Sequence, residues 1–113
     1  MADDHELEAL LSLDGLEFQF AQGYRVRIAA QVVETTSARP HGIKYSLTWH
    51  DPTGRRVYGL DNAHAGGRFP ATFDHRHVYG RRRIVAYVYR GPVDLLGDFY
   101  REVERILRER GAL

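Results

Sequence analysis

Two stretches of the chain alternate apolar and polar residues, and this pattern constrains the fold more than any other feature. The apolar residues at every second position are Tyr24, Val26, Ile28, Ala30 and Val32, then Ile43, Tyr45, Leu47 and Trp49. A period of two is that of a strand with one buried face. The two stretches therefore predict an antiparallel sheet with one covered face and one polar face.

Further strands are predicted on both sides of these two. Residues 16–20 alternate in the same way, and the Asp51-Pro52-Thr53-Gly54 sequence predicts a type I turn that leads into a strand over residues 55–62. Residues 71–79 and 83–90 are predicted to form a third strand pair.

Two helices are predicted, one at each end. Residues 4–11 form a short amphipathic segment, and Pro92 suits the first position of a longer helix that Gly111 ends. The apolar residues of that helix recur at helical spacing: Leu95, Leu96, Phe99, Val103, Ile106 and Leu107. We therefore expect one α+β domain over residues 1–113, in which the C-terminal helix packs on one face of a five- or six-stranded antiparallel sheet.

The net charge of +1 conceals an uneven distribution. Residues 1–17 carry six acidic residues and no Lys or Arg, whereas residues 18–93 carry twelve Lys or Arg against four acidic residues. Fifteen of the sixteen basic residues are Arg, whose planar guanidinium pairs with phosphate through two hydrogen bonds. The polar sheet face is predicted to carry Arg25, Arg27, Lys44 and His50. A basic body behind an acidic head favours a nucleic-acid ligand, and a solvated polar face is the other interpretation.

Several classes of protein are excluded or disfavoured. The chain has no cysteine, which excludes disulfides, thiolate metal sites and cysteine nucleophiles. It has no phosphate-binding Gly-rich loop, no dinucleotide fingerprint and no Gly-x-Ser-x-Gly motif. The acidic start and the absence of a long apolar run lead us to expect a cytoplasmic protein that does not contact a membrane.

Polar residues depart from the strand pattern most densely between Asp61 and His77. Three of the six histidines, His64, His75 and His77, lie within fourteen residues. On an extended strand His75 and His77 share a face, with backbones about 6.6 Å apart, and Arg76 points to the other face. Such a pair can bind a metal, act as a general acid and base, or hydrogen-bond to nearby carboxylates.

Four sequence blocks also resemble a known family. They are Ser46-Leu47-Thr48-Trp49-His50-Asp51, Gly54-Arg55-Arg56 leading into Tyr58-Gly59-Leu60-Asp61-Asn62-Ala63-His64, Phe73-Asp74-His75-Arg76-His77 and Leu95-Leu96-Gly97-Asp98-Phe99-Tyr100-Arg101-Glu102-Val103. In order and spacing these blocks resemble the TumE-like proteins of bacterial toxin–antitoxin systems. The resemblance implies a toxin whose partner is an antitoxin with a helix-turn-helix DNA-binding domain, and RNA as its target. The positions that it marks are Asp61, Asn62, His64, Asp74, His75 and His77.

These observations together predict a ribonuclease toxin. His75 and His77 are the acid and base candidates, Asp61 or Asp74 would orient them, and His64 could complete the group if its loop folds back. The candidate phosphate contacts are Arg76, Arg81, Arg82, Arg83, Arg55 and Arg56. No cofactor is expected, and a divalent metal held by His75 and His77 is the second choice. The alternative is a non-enzymatic protein that docks a partner through its open face or a sheet edge, and a second copy of the chain is a further candidate partner.

Overall fold

Six strands form one antiparallel sheet in which each strand pairs with the next along the chain. The computed structural model describes residues 4–19, 22–36, 41–62, 74–78 and 84–111. The elements are α1 (Asp4–Leu11), β1 (Glu17–Gln19), β2 (Arg25–Val32), β3 (Ile43–His50), β4 (Arg56–Asp61), β5 (Asp74–Val78), β6 (Ile84–Tyr87) and α2 (Pro92–Glu109). The predicted α+β architecture, an antiparallel sheet of five or six strands with a helix at each end of the chain, is confirmed, and the sheet has six strands.

Helix α2 covers one face of the sheet. It begins at Pro92, whose missing N–H costs nothing in the first turn, and its buried stripe is Leu95, Phe99, Val103, Ile106 and Leu107. The sheet contributes the alternating apolar side chains that the sequence predicts, among them the fully buried Leu47 and Trp49. The exception is Val32, the last residue of β2, which is 65% exposed where the alternation predicts a buried side chain. The ring of Phe99 lies 6.0 Å from that of Tyr58 on β4, measured between centroids. Burial of these side chains is the main source of stability.

The acidic N-terminal segment is part of the fold. Leu10 of α1 is fully buried in the core. Beyond α1, Asp14 accepts a hydrogen bond from the Ala30 amide through Oδ1 at 2.9 Å, and the Gly15 amide donates to the Ile28 carbonyl at 2.8 Å. These two hydrogen bonds attach the residues that follow α1 to the backbone of β2. Neither α1 nor α2 is long and apolar enough to cross a membrane.

The β3–β4 connection is the turn that the sequence predicts. The Gly54 amide donates to the Asp51 carbonyl at 2.9 Å, and Asp51 Oδ1 accepts hydrogen bonds from the amide and the hydroxyl of Thr53. The hydroxyl bond is the main reason why the pKa of Asp51 lies below its usual value. A shift of register between Trp49 and His50 marks a bulge beside this turn, so that Trp49 faces Tyr58 whereas His50 faces Arg56.

The last strand is shorter than its predicted range. Strand β6 ends at Tyr87, and residues 88–90 leave the sheet to lead into Gly91 and α2. The ring of Tyr89 then packs against Tyr45, with centroids 5.7 Å apart. The predicted strand positions 71–73, 79 and 83 lie outside the described residues.

Candidate functional site

The sheet face opposite α2 is polar and basic, as the alternation predicts. Arg25, Arg27 and Lys44 are exposed on this open face, and His50 is half-buried there. Arg56, which faces His50 across the β3–β4 pair, adds a further guanidinium. The alternation assigns the apolar positions of β2 and β3 to the core, so the basic side chains of these two strands lie on one side of the sheet.

A groove of about 430 Å³ crosses this face near the β1 edge. Its floor and walls are Arg27, Ser46, Thr48, His50 and Arg56, and residues 15–17 close it at the edge. His50 Nε2 lies 3.0 Å from the Thr48 hydroxyl, which fixes the orientation of the imidazole within the groove. The groove therefore combines two guanidinium groups with the hydroxyls of Ser46 and Thr48 and the imidazole of His50, and groups of these kinds bind phosphodiesters.

One carboxylate of the acidic head lies on the same face. Glu17 of β1 forms ion pairs with Arg25 at 3.7 Å and with Arg27 at 3.4 Å. All three side chains are exposed, and exposed ion pairs contribute only about 0–1 kcal/mol each. Glu17 therefore pairs only weakly with these two guanidinium groups, and an anionic ligand can displace it from them.

The strand register brings two predicted site residues side by side. Asp61 of β4 pairs with His75 of β5, and on its other side Asp61 pairs with Ser46 of β3. Directly opposite residues in an antiparallel pair have Cβ atoms about 5 Å apart. The side chains of His75 and His77 lie outside what the structure describes, so these two positions are placed by their backbone alone.

His77 pairs with Gly59, and the glycine has a steric reason to be there. A Cβ atom at Gly59 would lie 3.3 Å from the Leu47 carbonyl oxygen and 3.4 Å from Cγ2 of Thr48. The contact with the Leu47 carbonyl would be tighter than usual, whereas Thr48 and Arg56 would be at ordinary van der Waals distance. Because residue 59 is glycine, no side chain of β4 stands next to the His77 position.

Asp74 and Arg76 alternate with the two histidines and lie on the helix side of the sheet. Asp74 is buried, and its Oδ2 accepts a hydrogen bond of 2.5 Å from the Tyr45 hydroxyl. Burial, and then this bond, raise the pKa of Tyr45 far above its usual value. Arg76 pairs with Leu60 on the same side. The structure thus brings Asp61 to the histidine positions and places Asp74 and Arg76 on the other face.

Asn62 has a structural role that sequence reasoning missed. Its side chain is buried, Oδ1 accepts from the Tyr45 amide at 2.9 Å, and Nδ2 donates to the Ile43 carbonyl at 2.7 Å. The amide therefore continues the β3–β4 ladder beyond the last paired residue, as a backbone peptide would. The sequence signal for this structural role is a polar residue at the end of a predicted strand.

Of the remaining predicted site residues, Arg55 lies at one end of the sheet, and the others lie outside the described residues. Arg55 follows the β3–β4 turn, where its amide donates to Asp51 Oδ1 at 3.1 Å. His64 and residues 81–83 lie outside the described residues, although the strand ends that flank 79–83 are at the Arg55 end of the sheet. Within the described ranges no three His, Asp or Glu side chains come together as a metal site would require.

The sequence did not reveal how the groove is lined. Ser46 and Thr48 lie in a block that resembles a family, but neither they nor Glu17 were named as site residues, and the three meet because β1, β2 and β3 pair in this register. The signal available was the alternation itself, which assigned the polar positions of each strand to one face.

These features define a small α+β protein with a basic, grooved sheet face and a histidine-bearing strand beside it. A family model described as Toxin TumE matches residues 3–107. The chain therefore belongs to the TumE toxin family, which confirms the resemblance of its sequence blocks. A toxin of this kind implies a cognate antitoxin as its partner. The comparisons found no matching curated protein and no matching solved structure.

Proposed function

We propose that this toxin acts on RNA as a ribonuclease, with His75 and His77 as its general acid and base. The observation that supports this most is the register that sets Asp61 beside His75 on the face that also holds the basic groove. In that position Asp61 can accept a hydrogen bond from an imidazole N–H and so fix its tautomer. Asp74, buried against Tyr45, supports the strand from the other side.

The proposed reaction is an intramolecular transesterification, in which the phosphoryl group is transferred from the 5′-oxygen of the next nucleotide to the neighbouring 2′-oxygen. One histidine removes the proton of the 2′-hydroxyl, and the 2′-oxygen forms a bond to phosphorus as the bond to the 5′-oxygen breaks. The other histidine donates a proton to the leaving 5′-oxygen. The products are a 2′,3′-cyclic phosphate and a 5′-hydroxyl. Guanidinium groups stabilise the charge that develops on the phosphoryl oxygens.

The RNA path in this proposal runs across the open face. Arg27 and Arg56 line the groove and would contact phosphates on one side of the histidine positions. Arg55, at the adjoining end of the sheet, is proposed as a further contact, and so is the run Arg81 to Arg83, which lies outside the described residues. We leave Arg76 out of this surface because it lies on the helix side.

The biological setting follows from the same proposal. A toxin that cleaves cellular RNA acts in the cytoplasm, as a single domain, and needs an inhibitor made beside it. We propose that the antitoxin is encoded by an adjacent gene and carries a helix-turn-helix domain.

The activity is tested directly with purified protein and single-stranded RNA. We expect fragments that end in a 2′,3′-cyclic phosphate and begin with a 5′-hydroxyl, identified by mass spectrometry, and we expect cleavage to persist in excess chelator. Activity that the chelator abolishes and one divalent ion restores would instead favour the metal held by His75 and His77. Intact RNA under all conditions would favour the non-enzymatic alternative.

The groove is tested by changing its charge. Arg27→Gln combined with Arg56→Gln should weaken binding of a single-stranded RNA about tenfold at low salt, because two phosphate contacts are lost. The slope of log affinity against log salt concentration should fall by about 1.4. Arg108→Gln, an exposed change on α2, serves as the control for loss of charge elsewhere. An unaltered salt dependence in the double variant would remove the groove from the RNA path.

The opposite change tests the same surface. Glu17→Gln removes the carboxylate that competes for Arg25 and Arg27, so RNA affinity should rise about two- to fivefold at low salt. The gain should disappear above about 0.5 M salt, where charges are screened over a few ångströms. Glu104→Gln, exposed on α2, is the matched control. Equal gains in both variants would show only a general effect of net charge.

A further inference from the structure

A second pocket lies on the other side of the protein, between α2 and the last two strands. Its volume is about 370 Å³, and the side chains that matter for its chemistry are Tyr58, Arg76, Tyr87, Arg90, Asp98 and Arg101. None of these residues belongs to the open-face groove. The pocket thus needs an explanation of its own.

The Asp98 carboxylate in this pocket is fully engaged. Oδ2 accepts from the Tyr87 hydroxyl at 2.6 Å and from Arg90 at 2.7 Å, and Oδ1 accepts from Arg101 at 3.1 Å. Burial by itself would raise the pKa of Asp98, but the hydrogen bonds from Tyr87 and Arg90 outweigh it and lower the pKa. Asp98 is therefore ionised at neutral pH and has little capacity left for another cation.

Arg76 is the cation that remains. Its Nε is buried without a hydrogen-bond partner, and no carboxylate of the described residues pairs with its guanidinium. Glu102, the other acid of the pocket, is held by Arg105, whose Nε donates to Oε1 at 2.9 Å. A buried guanidinium nitrogen without a partner is costly, and an incoming anion would satisfy it.

A neutral donor stands beside Arg76. Tyr58 lines the same pocket, and burial is the main cause that raises the pKa of its hydroxyl to about 12. The hydroxyl therefore stays protonated at neutral pH. Together Arg76 and Tyr58 offer an oxyanion both a charged and a neutral hydrogen bond.

The surrounding charge favours one carboxylate over RNA. Asp98 is paired with Arg90 and Arg101, and Glu102 is paired with Arg105, so Arg76 is the one lining guanidinium without a carboxylate among the described residues. Helix α2 as a whole carries five acidic residues against three Arg. Such a wall repels the repeated phosphates of RNA but accepts a single acidic side chain.

The adjoining sheet edge suits an extended peptide. Strand β6 is the last strand of the sheet, so its outer backbone groups have no neighbouring strand among the described residues. Val88, which follows it and lines the pocket, has 73% of its surface exposed. An exposed edge next to an apolar side chain is the usual template for adding a strand.

We propose that this pocket and the β6 edge bind an extended segment of the cognate antitoxin, with one Asp or Glu side chain paired to Arg76. The added strand would supply main-chain hydrogen bonds, an apolar side chain would cover Val88, and the acidic side chain would give the register. The proposal rests on the chain's membership of a toxin family and not on the proposed ribonuclease activity.

The test is a titration of the full toxin chain with purified antitoxin, the product of the neighbouring gene. Arg76→Gln and Val88→Lys should each weaken the complex at least tenfold. Arg108→Gln and Val32→Lys are the matched controls, because Arg108 is exposed on α2 and Val32 is 65% exposed at the far side of the sheet. Both controls should bind within twofold of the parent.

Two further measurements keep the result unambiguous. RNA affinity should be unchanged in Arg76→Gln and Val88→Lys. The proposal for antitoxin binding and the proposal for RNA binding are therefore tested separately. Each Asp or Glu of the antitoxin is replaced in turn by Asn or Gln. For one of these antitoxin variants, the loss of affinity should not add to the loss caused by Arg76→Gln in the toxin. If Arg76→Gln unfolds, Val88→Lys and the charge-preserving Arg76→Lys carry the test, and Arg76→Lys should retain most of the affinity. Parent-like antitoxin binding in the folded variants, or a loss of RNA binding instead, would overturn the proposal.

Discussion

Phe99→Ala should lower the free energy of unfolding by about 3–5 kcal/mol. Phe99 is fully buried at the centre of α2, and its ring meets those of Tyr58 and Tyr100. Removing it leaves a cavity between the helix and the sheet that neighbouring side chains can fill only in part. Urea denaturation followed by circular dichroism measures the change.

The control for this variant is on the same helix. Val93 is 53% exposed, so Val93→Ala should change stability by less than about 0.5 kcal/mol. A melting temperature of Phe99→Ala equal to that of the parent would show that α2 does not pack as described.

The fold was predictable where one residue pattern determined one structure. Strand β2 follows the alternation over residues 24–30, but Val32, predicted to lie on the apolar face, is 65% exposed at the end of the strand. Strand β3 follows the alternation of residues 43–49, and α2 follows a 3.6-residue period that begins at Pro92. The bulge between Trp49 and His50 was not predictable, because it depends on how two strands pair rather than on either strand alone. The end of β6 at Tyr87 was not predictable either, because residues 88–90 leave the sheet to lead into α2.

The candidate site was predictable only in part. The sequence indicated that Arg76 would alternate with His75 and His77, and the register agrees. It left Asp61 and Asp74 as equal candidates, because only the pairing of β4 with β5 shows that Asp61 is the one opposite His75. The bond from Tyr45 to Asp74 joins residues 29 positions apart, and no local pattern reports such a contact.

The acidic head illustrates the same limit for charge. The sequence shows that this segment carries six acidic residues and no Lys or Arg. In the structure two of these acids have different roles: Asp14 bonds to the backbone of β2, whereas Glu17 reaches the open-face arginines. Charge along the chain could not predict this difference, because the pairing of β1 with β2 decides which carboxylate meets which guanidinium.

His75→Gln and His77→Gln should each lower the rate of RNA cleavage by about 10²- to 10⁴-fold, the usual contribution of one general acid or base. RNA affinity should stay nearly unchanged, because glutamine keeps the size and polarity of the side chain and the phosphate contacts are elsewhere. Replacing Arg81, Arg82 and Arg83 together should have the opposite effect, a weaker and less salt-dependent binding. Single-turnover kinetics separates the two outcomes.

The pair is expected to act as a unit, and this distinguishes catalysis from a general loss of structure. The double variant should be scarcely slower than either single variant, because removal of one proton transfer already abolishes the concerted path. His5→Gln, at a highly exposed position of α1, is the control and should cleave as the parent does. If both single variants fold normally and cleave RNA at the parent rate, then the histidines of β5 are structural. The proton transfers would then have to come from other residues.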